Sequence, residues 1–331
     1  MIKLRKYLML LSAVVVMQLT NKQYFTNQGV VWTTEYHIKY EATADLSDSI
    51  QQVFKAIDES ASAFNKQSRI SALNDNKTDE SDAFIVKLYN KAVEVNRASD
   101  GLYDPTVMPL VNAWGFGCKS GDMPTQEQID SILRFVGLEH TSLTGNKIVK
   151  DDPRVQFDFS SIAKGLACDE VAAMFERNGV ENYMVEIGGE VVACGVNQAG
   201  QPWHVSIDMP ESDGGDGAQH TSALVITLDG QAVATSGNYR KYKESGGKKL
   251  SHIVNPKTGG SEVSNLLSVS VVASDCVTAD AWATACMAMG EEKTRSAMEG
   301  NDKLGVLTIS VNEDGDFVIW SNKRFADLVV N

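Results

Sequence analysis

Residue types that mark specialised classes of protein are scarce in this sequence. Its 331 residues include only 7 Pro and 5 Cys. Lys and Arg number 30 against 43 Asp and Glu, which leaves a formal net charge of −13. With few prolines and 43% hydrophobic residues, the chain is neither collagen-like nor largely disordered. Because it has no excess of basic residues to form the positive face that binds a phosphate backbone, we expect no nucleic acid partner.

The cysteines lack the spacing of a zinc site or of a disulfide framework. They are scattered along the chain without a CxxC pair, at Cys118, Cys168, Cys194, Cys276 and Cys286. An odd number of thiols cannot all form disulfides within one chain. Cys286 lies in an apolar stretch, and we expect it to be a small buried residue rather than a nucleophile.

Two common phosphate-binding motifs are also missing. Glycine-rich turns occur at Ile187–Glu190 and Thr235–Arg240, but neither fits GxxxxGK[ST] or a GxGxxG that follows a strand. We expect tight hairpins at both places. A nucleotide bound by this protein would therefore be held by something other than a Walker-type loop or a Rossmann fold.

One long hydrophobic run is present, at the N-terminus. Basic residues precede a run from Tyr7 to Leu19, and no acidic residue occurs before Glu35. This arrangement is typical of an export signal. The run of about 13 residues is shorter than the roughly 20 that span a membrane comfortably, yet no clear cleavage site follows it. Residues 1–24 are thus predicted to be either a signal peptide or an N-terminal membrane anchor.

Helical and strand patterns follow in a mixed order. Apolar residues at three- and four-residue spacing predict helices at 50–64, 83–98, 125–136, 162–178 and 275–289. Alternating or continuous apolar residues predict strands at 32–40, 183–187, 190–195, 203–208, 223–228, 232–235, 252–255, 267–273, 305–310 and 317–320. This order is typical of an α+β protein rather than of a doubly wound parallel sheet.

Residues that suit helix caps stand at two of the predicted helix starts. Asp45 or Ser47 precedes the first helix. Thr125 and Gln128 have the spacing of a capping box. We therefore expect a helix to begin at each of these positions.

The last predicted helix carries a single acidic residue between Val277 and Met289. Nearly all its other residues are small or apolar, so we expect the helix to be buried on all sides. A buried carboxylate has to be protonated, paired with a cation or bound to a metal. Asp280 and Thr284 lie one turn apart on one face, and two hard oxygens there suit Mg²⁺. The alternative is a salt bridge from Asp280 to a buried Lys or Arg.

A strand-to-helix turn is predicted at Phe157–Glu170, in the sequence FDFSSIAKGLACDE. Ser160 or Ser161 can cap this helix, and Lys164 lies in its first turn. Free amides at a helix start, with a lysine beside them, would attract a phosphate. The alternative is a solvated Lys164 and a turn at Asp158 that binds nothing.

His252 stands alone at the start of a predicted strand, in the sequence SHIVNPKTGG. A lone histidine is usually structural. Its imidazole can nevertheless act as an acid or a base near neutral pH. We keep both interpretations open from the residues alone.

Six segments together resemble the ApbE family of FAD:protein FMN transferases. In chain order they are GLYDPTVMPLVNAWGFG, DFSSIAKGLACD, VEIGGEV, TSGNYRKY, SHIVNPKTGG and VVASDCVTADAWATACMAMG. The resemblance extends from about Val31 to Trp320. It implies a single domain over residues 25–331, with mixed, mainly antiparallel sheets and packed helices in the ApbE-like, T-fold-related architecture. It also implies an exported enzyme on the periplasmic side of the inner membrane.

The resemblance further implies a set of site residues. The FAD contacts would be Trp32, Phe64, Leu102, Tyr103, Asp104, Asp158, Lys164 and Val254. The metal would be held by the side chains of Asp280 and Thr284 and by the main chain near Ser161. A further contribution is implied at Ala283, where some relatives carry Asp. Because Ala283 has no carboxylate, a ligand of those relatives is missing here.

The implied reaction is a Mg²⁺-dependent cleavage of the FAD pyrophosphate, which joins FMN to a Thr or Ser of a target protein and releases AMP. Such a phosphoryl transfer needs alignment and charge neutralisation more than covalent help from the protein. Mg²⁺ at Asp280 and Thr284 would neutralise the pyrophosphate, and Lys164 would hold the nucleotide. His252, or a metal-polarised group, would accept the proton.

The target protein is implied to be a subunit of a membrane electron-transfer complex with an exposed Thr or Ser. An alternative function is a flavin-binding protein of the cell envelope. Another is an FAD pyrophosphatase that transfers nothing to protein. Retention of Asp280, Thr284, Asp158, Lys164 and His252 together favours the transferase, since simple binding needs no metal-bridged pyrophosphate.

Overall fold

The computed structural model describes residues 22–117, 123–210, 221–238, 242–245, 248–261 and 264–330. Within these residues the strands are β1 (Gln23–Val31), β2 (Thr34–Ala42), β3 (Thr141–Thr144), β4 (Lys147–Lys150), β5 (Tyr183–Ile187), β6 (Glu190–Cys194), β7 (Trp203–Asp208), β8 (Ser222–Leu228), β9 (Gln231–Gly237), β10 (Tyr242–Ser245), β11 (Lys248–Ser251), β12 (Leu266–Ala273), β13 (Gly305–Val311) and β14 (Phe317–Ser321). The helices there are α1 (Ser47–Ala61), α2 (Arg69–Asn74), α3 (Ala83–Ala98), α4 (Met108–Ala113), α5 (Gln126–Leu133), α6 (Ser160–Arg177), α7 (Cys276–Met289), α8 (Glu291–Met298) and α9 (Lys323–Ala326). The predicted α+β class is confirmed.

An eight-stranded sheet forms the centre of the molecule, in the order β1-β2-β5-β6-β9-β12-β13-β14. Each neighbouring pair in it is antiparallel. Three two-stranded sheets pair β3 with β4, β7 with β8, and β10 with β11. In β2, Tyr36, Ile38 and Tyr40 are buried while the residues between them are exposed, because successive side chains of a strand point to opposite faces.

Two layers cover opposite faces of this sheet. Ala234 and Val271 pack in one cluster with residues of α7, whereas their neighbours Val233 and Val272 pack in another with residues of β7 and β8. Adjacent residues of a strand face opposite ways. Helix α7 and the β7–β8 hairpin therefore lie on opposite faces.

The largest buried cluster joins α1, α3 and α6 to β2 and β5. In α1, Ile50, Phe54 and Ile57 recur at helical spacing and are buried. The predicted bounds of α3 are confirmed, and so is the capping box in which Thr125 and Gln128 begin α5. Helix α7 is buried on nearly all sides, as its composition predicts.

The start of the sheet differs from the sequence prediction. The alternating pattern predicts one strand at 32–40, whereas β1 and β2 occupy residues 23–42 and meet at a turn of Trp32 and Thr33. These two residues have φ of 49° and 65°, in the left-handed region. Strand β1 was missed because it is an edge strand that buries none of its residues.

Three other local predictions are wrong. Helix α1 ends at Ala61, and Phe64 beyond it is 63% exposed. Neither Asp45 nor Ser47 is the N-cap residue of α1, which is Leu46; Asp45 lies one residue earlier and accepts the Ser47 amide at 2.9 Å. Residues 252–255 form no strand, because the chain there leads into a turn in which the Asn255 side chain accepts backbone N–H groups.

Several sequence predictions fall outside the described residues. These include the leader up to residue 21, the thiol of Cys118, and Tyr239 and Arg240 of the second glycine-rich turn. The signal or anchor at 1–24 and the single domain at 25–331 therefore stay predictions. In the part of the chain that the structure describes, no helix is long and apolar enough to cross a membrane.

Candidate active site

A cavity of roughly 1140 Å³ opens beside the turn between β5 and β6. The starts of α6 and β6, one face of α7 and the end of β9 line it, and β7 reaches it from the other face of the sheet. Twelve of the thirteen site residues predicted from the sequence line this cavity: Trp32, Phe64, Leu102, Tyr103, Asp104, Asp158, Ser161, Lys164, His252, Val254, Asp280 and Thr284. Ala283 is fully buried among apolar residues and is not part of the lining.

Helix α7 contributes Asp280 and Thr284 to the cavity wall. Asp280 is 3% exposed, and its Oδ2 accepts a hydrogen bond from the Gly165 amide at 3.1 Å. The Thr284 hydroxyl lies 3.4 Å from the Ser236 hydroxyl on β9. Burial raises the pKa of Asp280 well above its usual range, and the charge of Glu190 adds to this shift.

Asp280 does not form the salt bridge considered above with any residue that the structure describes. Among the described residues, no lysine or arginine is ion-paired with this carboxylate. Lys164, which approaches from α6, pairs with Glu190 instead. Within the described part of the chain, this buried acid thus has one hydrogen-bond partner, the Gly165 amide, at the wall of a cavity.

Glu190 is a site residue that the sequence analysis missed. It is 1% exposed, begins β6 and lines the cavity. Its Oε2 has no hydrogen-bond partner among the described residues. The sequence does contain an indication of this role, since Glu190 directly follows a Gly-Gly turn and begins an apolar strand. A charged side chain buried in such a strand requires a compensating partner.

Lys164 lies between two carboxylates of the cavity. Burial would lower the pKa of its ammonium group, but the charges of Glu190 and Asp280 outweigh burial and raise that pKa. The lysine therefore stays protonated. One positive charge faces two buried carboxylates whose ionised forms burial disfavours. A further cation in this corner of the cavity would stabilise those ionised forms.

The start of α6 is organised by Asp158. Its Oδ1 accepts the Ser160 amide at 2.8 Å, while neither Ser160 nor Ser161 caps the helix as predicted. The Ser161 hydroxyl lies 3.2 Å from the hydroxyl of Tyr103, which is buried. Burial raises the pKa of Tyr103 well above its usual range, so this phenol stays protonated.

Asp104 is held by neighbouring backbone and side-chain groups. Oδ1 accepts the Thr106 amide at 2.8 Å, and Oδ2 accepts the Leu138 amide at 2.9 Å. Burial raises its pKa. With both oxygens engaged, this carboxylate fixes the loop around Tyr103, and its predicted contact with FAD stays a prediction.

Aromatic and apolar groups line the cavity away from the acids. The indole of Trp32 packs edge-on against Phe54, with ring centroids 5.6 Å apart. Val254 is buried in a small cluster with Leu110. Phe64 is largely exposed, so a planar ligand in the cavity would have an aromatic surface available at its mouth.

No group of three or more His, Cys, Asp or Glu side chains among the described residues could hold a metal ion by itself. Asp280, Thr284 and Ser161 nevertheless bring hard oxygens to the same cavity. Mg²⁺ characteristically takes one or two carboxylates and completes its shell with water and substrate phosphates. The donor set therefore fits Mg²⁺ held together with a phosphate ligand.

Comparisons with known proteins agree on one family. The ApbE family model matches residues 32–308. The FAD:protein FMN transferase of Vibrio cholerae is 36% identical over 298 residues, covering 87% of each chain, and that of Haemophilus influenzae is 35% identical, covering 91% of this chain and 90% of the relative. The solved structure of the flavin transferase ApbE from Vibrio cholerae superposes with a TM-score of 0.82 at 33% identity, covering 93% of this chain and 99% of that one. The chain therefore belongs to the ApbE family.

Proposed function

We propose that this protein is an FAD:protein FMN transferase, the activity for which its relatives are named. The observation that carries the proposal is the buried Asp280 beside Lys164, at the wall of a cavity of roughly 1140 Å³; among the described residues this carboxylate has no cationic partner. Typical small-molecule pockets measure about 300–1000 Å³. The volume is thus sufficient for a dinucleotide as large as FAD.

The charge of the cavity supports a divalent cation as part of the substrate complex. Carboxylates outnumber cationic side chains in the described lining, with acids at Asp58, Asp104, Asp158, Glu186, Glu190, Asp208 and Asp280 against one lysine. An anionic pyrophosphate would be repelled from such a lining without a further cation. We propose that Asp280, Thr284 and the Ser161 carbonyl hold Mg²⁺. When bound, this ion would neutralise charge on the pyrophosphate and orient its oxygens.

Lys164 is proposed to hold the nucleotide. Its ammonium group is fixed by Glu190 at the cavity wall. A lysine acts on phosphate oxygens as a compact point charge. Trp32 and Phe64 would contact the flavin ring, and Tyr103 and Val254 would line the space between ring and phosphates.

His252 is proposed as the acceptor of the hydroxyl proton. It lines the cavity and is partly exposed. As the acceptor oxygen bonds to the phosphorus of the FMN half, the bond from that phosphorus to the bridging oxygen breaks. AMP leaves with the bridging oxygen, and a ring nitrogen of His252 takes the proton from the hydroxyl.

The proposal extends to the partner and the compartment. The acceptor would present an exposed Thr or Ser and belong to a membrane electron-transfer complex. The basic and apolar N-terminal residues support export to the periplasmic side of the inner membrane, with residues 1–24 as a cleaved signal or an anchor. A protein kept in the cytoplasm after expression in its own host would contradict this part.

A mass measurement tests the function. The protein is incubated with FAD, Mg²⁺ and a protein that carries a candidate acceptor Thr, and the products are analysed for an FMN adduct and for AMP. We expect both in equal amounts. Bound FAD with neither product would favour a binding protein, and AMP with free FMN would favour a pyrophosphatase.

A further inference from the structure

Two carboxylates hold the N-terminus of α7, one from the residue that precedes this helix and one from α6. A helix start leaves its first amides without partners inside the helix. Asp275, the residue before α7, accepts the Thr278 amide at 2.9 Å, which is the ordinary cap. The two preceding amides, those of Cys276 and Val277, donate instead to Asp169 of α6, at 2.8 Å and 2.9 Å.

The same two helices are joined a second time, nearer the cavity. The Gly165 amide of α6 donates to Asp280 of α7 at 3.1 Å. A side chain at Gly165 would bring its Cβ within 2.6 Å of the Cys276 carbonyl oxygen, so the backbones are already in contact there. Gly165 and Asp169 are four residues apart and thus lie on one face of α6.

These contacts connect the two functional helices in a fixed register. Lys164 is the neighbour of Gly165 on α6, and Asp280 lies one turn into α7. Asp169 fixes the first amides of α7 at one position along α6. This position determines where the Asp280 carboxylate lies relative to α6. If α7 shifted along α6, the Asp280 side chain could rotate and keep its bond to the Gly165 amide. The two oxygens of Asp169, which accept from successive amides of α7, could not keep both bonds after such a shift.

We propose, on the basis of the proposed function, that Asp169 is a positioning residue for the transfer reaction. Its carboxylate fixes the position of α7 along the axis of α6. Asp280 is thereby held at a place from which Asp280 and Lys164 act on the same pyrophosphate. Asp169 touches neither substrate nor metal in this account. It acts through the helix that carries Asp280.

The test compares Asp169→Asn with Asp275→Asn. Both substitutions remove a carboxylate from the same helix end, but only Asp169 connects α7 to α6. The affinity for Mg²⁺ with FAD present is measured by calorimetry, and kcat and KM for FAD are measured well below both melting temperatures. Loss of a group that orients a metal ligand typically weakens metal binding or activity by about 10–100-fold. We expect a loss of that size in Mg²⁺ affinity and in kcat for Asp169→Asn, with KM for FAD changed by less than about threefold.

Asp275→Asn is expected to lower the melting temperature while Mg²⁺ affinity and kcat stay within about twofold of wild type. The proposal is overturned if Asp169→Asn binds Mg²⁺ like wild type, or if Asp275→Asn shows the same loss.

Should Asp169→Asn fail to fold, Asp169→Glu replaces it. The longer acid keeps both acceptor oxygens but shifts α7, so it should fold and bind Mg²⁺ at least about tenfold more weakly; wild-type affinity would overturn the proposal. If wild type binds Mg²⁺ but transfers no FMN, the proposed function fails while the comparison of Mg²⁺ affinities still decides the role of Asp169.

Discussion

Asp280 shows, at the scale of a single residue, what physical chemistry could say in advance. A lone acid in an apolar helix predicted a buried carboxylate with a special partner, and the structure buries it at a cavity wall. What could not be predicted is which partner it has. The nearby Lys164 is paired with Glu190. No periodic pattern in the sequence links these two residues, because α6 and β6 come together only in the folded chain.

Replacement of Asp280 by Asn tests its place in the site. The amide keeps the size of the side chain but loses the charge that would hold a cation, so Mg²⁺-dependent FMN transfer should fall at least about 100-fold. The rate is measured at saturating FAD across a series of Mg²⁺ concentrations. Asp302→Asn, at an exposed acid outside the cavity, is the control and should keep the wild-type rate. Wild-type turnover in Asp280→Asn would remove this residue from the mechanism.

The turn at Trp32 and Thr33 gives a second test at this scale. Thr33 is a β-branched residue with φ of 65°, a backbone conformation that costs about 1–2 kcal/mol for a non-glycine residue. Thr33→Gly should relieve it and stabilise the protein by about 0.5–1 kcal/mol, after the entropy that glycine adds to the unfolded chain. Thr26→Gly, in strand β1 of the same hairpin, should instead cost about 0.5–1 kcal/mol. Urea denaturation measures both, and destabilisation by Thr33→Gly would contradict the account.

The secondary-structure elements divide into those that a pattern reveals and those that it does not. Helices α3 and α7 and strands β5 to β9 and β12 to β14 follow their apolar periods, so the sequence predicts their bounds to within a few residues. The short strands β10 and β11 have no such period, and no strand is predicted for them. Strand β1 is a polar edge strand, and its pairing with β2 comes from backbone bonds that no side-chain period records. The sequence predicts the start of α6 but not its cap: neither serine caps the helix, and the Ser160 amide donates instead to Asp158, which precedes the N-cap residue Phe159.

The contact between α6 and α7 depends on Gly165. Gly165→Ala places a methyl group against the Cys276 carbonyl, 2.6 Å away, and backbone rather than a flexible side chain would have to move. Overpacking of this kind costs about 1–3 kcal/mol or more, which exceeds the gain of roughly 1 kcal/mol that alanine usually brings to a helix. Thermal or urea unfolding should show the loss, accompanied by slower FMN transfer. Gly300→Ala, which meets no atom within 4 Å, should be neutral; equal effects of the two would refute the close contact.

The titration of Asp169, whose carboxylate holds the start of α7, predicts how the stability of the protein depends on pH. Burial raises the pKa of Asp169 from 3.8 to about 7 in the folded protein. Between these two values the folded state binds a proton that the unfolded state has released. The contribution of this group to stability is therefore fully present below about pH 4 and is lost as the pH rises through 7. Asp169→Asn cannot titrate, so the stability of wild type relative to this variant should fall between pH 4 and pH 7, as measured by urea denaturation. A difference that stays constant or grows with pH would contradict the assignment.

At the scale of the whole molecule, the sequence predicts the fold class and most of the residues that line the cavity. It does not predict how the helices and strands that carry these residues are arranged around the cavity. Six separated segments resembled one family, and twelve of the thirteen residues implied by that resemblance meet in one cavity. The exception is Ala283, whose side chain faces the apolar core because α7 turns a different face to the cavity. The passage of the cavity from one face of the sheet to the other, which brings β7 into the lining, depends on long-range packing that no local pattern encodes.

Asp280 has no cationic partner among the described residues, and we propose that it binds a divalent ion that also coordinates the FAD pyrophosphate. Crystals grown with FAD and Mn²⁺, a Mg²⁺ analogue visible by anomalous scattering, test it directly. We expect an anomalous peak about 2.0–2.2 Å from a carboxylate oxygen of Asp280, with pyrophosphate oxygens completing the coordination shell of the ion. A structure with FAD in the cavity, Asp280 bonded to Lys164 and no ion beside it would contradict it.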